Sequence, residues 1–242
     1  MTMLRGGFIA ALMGITIIGI SACSTQIPAN RTQTPPSSPM AQASPPAKST
    51  VVSNVPKPLE EIGHFSENIY DMAKLNDWGK AMADLSSLKK ALEGLKTDPA
   101  TTKIDTVEVA STLSKLENAV SRKDRSTAMQ NSNRITMIAA KLTASFKPQV
   151  PAEVTLLDYY GRELEIWAAA KDQTKLNNVA KDIRQTWDKL FPTIESHGGS
   201  VEAKTFGALV EKIEKAKTPS DFAQLATPIL DEVDNLEKVF TK

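Results

Sequence analysis

From Leu59 onward the apolar residues return at steps of three and four, the spacing of one face of an α-helix. Met82, Leu85, Leu88, Leu92 and Leu95 form one such stripe, and Val109, Leu113, Leu116 and Val120 form the next. Ile135, Ile138, Leu142 and Phe146 continue the pattern, as do Val179, Ile183, Trp187 and Leu190. The last stripe is Phe222, Leu225, Ile229, Val233, Leu236 and Phe240. Breaks fall at 74–77, 97–100, 123–124, 147–151, 171–172 and 196–200. The spacing therefore predicts eight helices, near 59–74, 77–96, 106–122, 125–146, 152–170, 174–191, 201–216 and 219–240. Asp105-x-x-Glu108 and Thr218-Pro219-Ser220-Asp221 place an N-cap residue ahead of an acid, and Pro219 suits a first helical position. Pro228 implies a kink in the final helix or a shorter one. No segment shows sustained strand alternation.

The two sets of four helices match each other. A shift of 94 residues lays Val107-Glu108 on Val201-Glu202, Lys123 on Lys217, Ile135 on Ile229 and Phe146 on Phe240. A shift of 95 lays Asp77-x-x-Lys80 on Asp172-x-x-Lys175, Leu88 on Ile183 and Leu92 on Trp187. Helical periodicity alone yields chance apolar matches, but the nearly gap-free register and the matched breaks favour an internal duplication. The expected fold is all-α: two tandem up-and-down four-helix bundles, repeat 1 over 58–147 and repeat 2 over 148–242.

The first residues carry a different pattern. Arg5 precedes an apolar run from Phe8 to Ile20, which leads into the small residues Ser21 and Ala22 and then Cys23. This is the layout of a secretory signal over 1–22. The run of 13 residues is too short for a comfortable permanent span, which needs roughly 20. Ile20-Ser21-Ala22-Cys23 resembles the lipobox of bacterial lipoproteins. The resemblance implies signal-peptidase recognition of Ile20, Ser21 and Ala22, a diacylglyceryl group on the Cys23 sulfur, and cleavage before that cysteine, often followed by N-acylation. Two or more acyl chains would hold the protein stably at a membrane, where one holds only marginally. The place so implied is the cell envelope, on the extracytoplasmic side. In a diderm, Ser24 leans towards the outer membrane, facing the periplasm; in a monoderm the anchor lies on the outer face of the cell membrane.

Composition separates this anchor from the helices. Residues 24–57 are rich in Pro, Ser, Thr, Ala and Gln, with no acid and no aromatic residue. Such a stretch cannot bury enough apolar surface to offset its ordering entropy, so residues 23–57 are expected to form a lipidated, disordered linker. Fully polyproline-like it would reach ~100 Å, and as a coil its ends would lie roughly 30 Å apart. Cys23 is the only cysteine, so once it is lipidated no disulfide or structural thiolate site remains. Four of the 29 basic residues precede residue 58 and all 28 acids follow it, which leaves the helical part near −3. A basic stripe for nucleic acid is missing, and no nucleic-acid partner is expected.

Candidate chemistry is sparse. Glu60, His64, Glu67 and Asp71 share one helical face, and with a carboxylate from a neighbouring helix they could hold a divalent metal. His64-Phe-Ser-Glu67 distantly resembles the His-x-x-Glu of imelysin-like periplasmic bundle proteins, a likeness that implies iron, and only these two residues match. The core stripe of this helix is Leu59, Ile62, Phe65, Ile69 and Met72, which turns the His64 face to solvent and favours a plain polar surface. Haem between His64 and a methionine such as Met137 would suit a bundle, without a Cys-x-x-Cys-His for covalent attachment. His197, in Ser-His-Gly-Gly-Ser, reads as loop and lacks the ending of a P-loop. There is no Gly-x-Ser-x-Gly and no placeable Ser/His/Asp set, so no catalytic residue is assigned.

Aromatic residues gather around Leu157-Asp-Tyr-Tyr-Gly-Arg162-Glu, a mixture favoured at binding surfaces. Tyr160, Leu164 and Trp167 also follow helical spacing, which favours core packing. Gly161 inside that helix points to a close helix–helix approach or a bend, because glycine costs ~1 kcal/mol there relative to alanine. The expected function is that of a non-enzymatic, membrane-anchored lipoprotein with a helical binding or interaction domain. Its expected partners are the membrane, through lipid on Cys23, and an envelope protein, and no cofactor is assigned. The alternative is a metal- or haem-binding periplasmic bundle centred on His64, with Glu67.

Overall fold

The computed structural model describes residues 54–101 and 103–241. The signal segment with Ile20, Ser21, Ala22 and Cys23, and the linker as far as residue 53, lie outside the described residues. The described chain forms helices α1 (Lys57–Leu75), α2 (Trp78–Thr97), α3 (Val107–Ser121) and α4 (Arg125–Thr143), then α5 (Ala152–Ala170), α6 (Gln173–Ser196), α7 (Ser200–Lys215) and α8 (Pro219–Thr241). Short 3₁₀ turns occupy Pro99–Thr101 and Ala144–Phe146, and there is no strand among the described residues.

Short connections make successive helices antiparallel neighbours. In the first bundle α1 packs on α2 and α4, and α3 on α4 and more lightly on α2. In the second, α5 packs on α6 and α8, and α7 on both α6 and α8. Each bundle closes its own core. Leu59, Ile62, Ile69, Leu88, Leu95, Leu116 and Ile135 are buried in the first, and Leu157, Leu164, Ile183, Trp187, Phe206, Phe222 and Ile229 in the second. The bundles join where α4 packs on α5, and Trp167 packs against both cores. The expected all-α pair of tandem four-helix bundles is the fold observed.

The matched breaks have matched structures. α1 ends on Asn76 in the left-handed conformation (φ 59°), and Asp77 then caps α2 by accepting from the Lys80 N–H. α5 ends on left-handed Lys171 (φ 56°), and Asp172 caps α6 by accepting from the Lys175 N–H. Lys123 (φ 55°) and Asp124 repeat the device between α3 and α4. At each hairpin one left-handed residue satisfies the last carbonyls of one helix, and the aspartate satisfies a free N–H of the next. Thr218 and Asp221 cap α8 reciprocally, as the sequence suggests: the Thr218 N–H donates to Asp221 Oδ2 (2.9 Å) and the Asp221 N–H to Thr218 Oγ1 (3.2 Å).

Several expectations are corrected. The linker does not run to residue 57: Val55 is buried in the first core and α1 begins at Lys57. Pro56 and Pro58 flank that start, where the missing proline N–H costs nothing. Met82 is 52 % exposed, at the edge of a groove between α2 and α3, and Ala81 takes the core position instead. α6 continues beyond 191 through Pro192 to Ser196. Pro192 is exposed, so the carbonyl it leaves without a donor faces water, while Ile194 is buried and holds the last turn against the second core. Pro228 is exposed in the same way and does not shorten α8. The N-cap of α3 is Thr106 rather than Asp105, whose carboxylate accepts from the Val107 N–H (2.9 Å).

Candidate functional site

α5 is buried along almost its whole circumference, through Val154, Leu157, Gly161, Arg162, Leu164, Ile166 and Ala168. A helix covered on all sides is a central one. It meets α8 through Gly161, where a Cβ would lie 2.7 Å from Leu230 Cδ2 and 3.2 Å from Ile229 Cγ2, so glycine sets the spacing of the two helices. On its other sides it meets α4 and α1, and the polar groups of the molecule converge there.

Towards α4, Asn133 Nδ2 donates to Glu163 Oε1 (2.9 Å) and to the Tyr159 carbonyl (3.1 Å), and Trp167 Nε1 donates to Glu163 Oε2 (2.6 Å). Towards α1, the Tyr70 hydroxyl donates to Glu165 Oε2 (2.8 Å), and Lys74 Nζ reaches both oxygens of Glu165 (2.6 and 2.8 Å). The Arg162 guanidinium lies 5.1 Å from the centre of the Tyr70 ring. Its Nη2 is 3.3 Å from Asp158 Oδ2, one helical turn earlier. Arg162 is only 8 % exposed, and its Nη1 is buried without a hydrogen-bond partner, as is Asp158 Oδ2.

A cleft opens along this seam. Its inner part, about 200 Å³, is lined by Arg162, Asp158 and Thr155 of α5, Glu67 of α1, and Val233, Asp234 and Glu237 of α8. Through Glu67, Thr155, Val150 and Glu237 it adjoins an outer part of about 370 Å³, bordered by Gly63, His64, Thr136 and Gln149. Gln149 is fixed by donating to the Phe240 carbonyl at the end of α8 (2.8 Å).

Burial dominates the electrostatics. It pushes the Glu67 carboxyl up to about 7; Arg162 pulls it down, and Asp158, Asp71 and Glu237 push it further up. Asp158 rises to about 6 for the same reason, again opposed by Arg162 and reinforced by Asp71, Asp234 and Glu237. Asp71 also rises, chiefly by burial. For Arg162 burial alone would weaken the charged form, but the Asp158, Glu67 and Asp71 carboxylates outweigh it and the guanidinium stays charged. Three carboxylates thus act on the Arg162 guanidinium, and Asp234 and Glu237 line the same cavity.

No family model, curated protein or solved structure matches this chain.

The helical face predicted to point at solvent is divided between solvent and seam. His64 is exposed, with Nε2 3.2 Å from Asn68 Nδ2. Glu67, one turn on, is half-buried against the second bundle, which corrects its assignment to a plain polar surface. Among the described residues no group of three or more His, Cys, Asp or Glu side chains is arranged to hold a metal. Met137 packs on the first core, so nothing pairs it with the exposed His64. His197 ends α6, its Nδ1 2.8 Å from the Thr193 carbonyl and its ring against Phe240. Tyr160 and Trp167 are partly buried against the second core and Leu164 is fully buried, as their spacing suggests. Sequence reasoning did not single out Arg162 as a site residue. Its signal is the one basic residue of a helix that carries four acids, one turn after Asp158 and beside Gly161.

The contrast with Arg184 shows what is unusual about Arg162. In the groove between α6 and α7, Arg184 gives Nε and Nη2 to Glu214 (both 2.9 Å) and Nη1 to Asp188 (3.1 Å). That guanidinium is engaged on every side and serves as a surface tie, whereas Arg162 borders a cleft and keeps a buried donor without a partner.

Proposed function

We propose that the chain is a lipid-tethered, extracytoplasmic binding protein whose helical unit takes its ligand in the cleft between the two bundles and performs no chemistry on it. The tether rests on Ile20-Ser21-Ala22-Cys23 at the end of a short apolar run, and on the proline-rich segment that follows. Among the described residues no helix is long and apolar enough to cross a membrane, so lipid on Cys23 is the membrane contact this reading requires. The observation that carries the binding function is Arg162, a charged side chain at 8 % exposure that lines the cleft and whose Nη1 is buried without a hydrogen-bond partner. A buried donor left without a partner costs on the order of 1–3 kcal/mol, more when charged, and such a cost is usually kept where a ligand relieves it.

The tether is tested by intact mass and membrane fractionation of the expressed full chain. The expected product begins at a lipidated Cys23 and sediments with membranes, and Cys23→Ser yields a soluble or uncleaved form. Membrane retention of a correctly cleaved Cys23→Ser protein would contradict it.

A further inference from the structure

The chemistry of the seam narrows the class of ligand. Arg162 Nη1 requires an acceptor, since it has no partner and Nη2 already faces Asp158 at 3.3 Å. A simple anion would supply that acceptor but would enter a site where Glu67, Asp158, Asp234 and Glu237 already line the same cavity as one guanidinium. Like charges at this range in a partly dry cleft repel strongly. A simple cation would meet the carboxylates and leave Nη1 unsatisfied. A compound carrying an oxygen acceptor and an ammonium a bond or two apart meets both conditions. The inner cavity of about 200 Å³ has the volume of about seven waters, enough for such a head group. The outer 370 Å³ continues from it past Glu67 and can receive a side chain.

We infer that the seam cleft binds a small α-amino-acid zwitterion, its carboxylate on the Arg162 guanidinium and its ammonium against Glu237 and Asp234, which line the same cavity. This rests on the binding reading above and adds the ligand's chemistry. Asp234 and Glu237 are exposed one turn apart on α8, free to turn towards an incoming ammonium. Arg162 is held at the wall of the cavity by Tyr70 and Asp158, which limits the side-chain entropy lost when a carboxylate binds.

The test is isothermal titration of the whole chain, extracted in detergent, with individual α-amino acids as probes. The tightest is then compared with its N-acetyl derivative, which lacks the cation, and with its decarboxylated amine, which lacks the acceptor. An amino acid is expected to bind, with each analogue at least tenfold weaker. Glu237→Gln, at an exposed position that folding does not need, should weaken the amino acid about tenfold and leave the N-acetyl derivative unchanged. Arg162→Lys should weaken the amino acid and leave the amine unchanged; if that variant does not fold, Glu237→Gln decides. The inference is overturned if no amino acid binds, or if either analogue binds as well as its parent. In the latter case, loss of that binding in Glu237→Gln would still leave the cleft a binding site of another ligand class. Conversion of the bound amino acid into a product would keep the zwitterion and overturn the non-enzymatic reading beneath it.

Discussion

Arg162 is the residue on which the seam depends, because it is the buried counter-charge of the half-buried Asp158 and Glu67. Arg162→Met should destabilise the fold by about 3–5 kcal/mol at pH 8, since it leaves Asp158 and Glu67 buried without a counter-charge. The loss should shrink at pH 5, where these acids are neutral; urea unfolding at the two pH values measures it. Glu67 gives a second expectation. Its carboxyl is raised to about 7 in the folded chain from an ordinary value of 4.5, so the folded state holds that proton more tightly than the unfolded state does. The resulting stability is full below about 4.5 and is lost as the pH rises through 7. Glu67→Gln should therefore gain on the wild type between pH 5 and pH 8, by on the order of 1 kcal/mol because the side chain is only half-buried. An unchanged difference between the two proteins across that range would contradict the placement of Glu67.

The helices themselves were largely legible in the sequence. Their limits follow from three aspartate caps and from apolar spacing, and each cap is a local interaction that needs no knowledge of the fold. Asp172→Ala should cost about 1 kcal/mol, read from the shift in urea midpoint. Gly161 was legible too, because a mid-helix glycine asks for a neighbour. Gly161→Val should cost about 2–3 kcal/mol by driving a branched side chain into Leu230 and Ile229. Gly207→Ala is its control. A Cβ there would lie 3.8 Å from Trp187 Nε1, an ordinary contact, and the helix should gain up to ~1 kcal/mol. The prolines were less legible. A proline removes one donor, but whether the helix ends depends on which side the orphaned carbonyl faces. At Pro192 and Pro228 that side is solvent, and no local rule states it.

At the scale of the whole molecule the seam was the part hardest to see. Periodicity identifies one buried face per helix, the face turned to its own bundle. A second face, turned to the other bundle, leaves only a polar residue such as Glu67 or Arg162 where a surface or a core residue would serve equally well in the pattern. The site arises from helices 90 or more residues apart, as the Tyr70–Glu165 hydrogen bond shows, and only tertiary packing brings them together. The two bundles supply two cores, bridged by Trp167, and the cleft lies where they meet, which is a common place for a ligand. The most direct test of the seam as the binding site is hydrogen–deuterium exchange of the whole chain in detergent, with and without the amino acid that binds in titration. Slowed exchange in residues 63–71, 148–162 and 233–238 is the expected result. Slowing confined to the α2–α3 groove beside Met82 or to the α6–α7 groove around Arg184, with none at the seam, would contradict it.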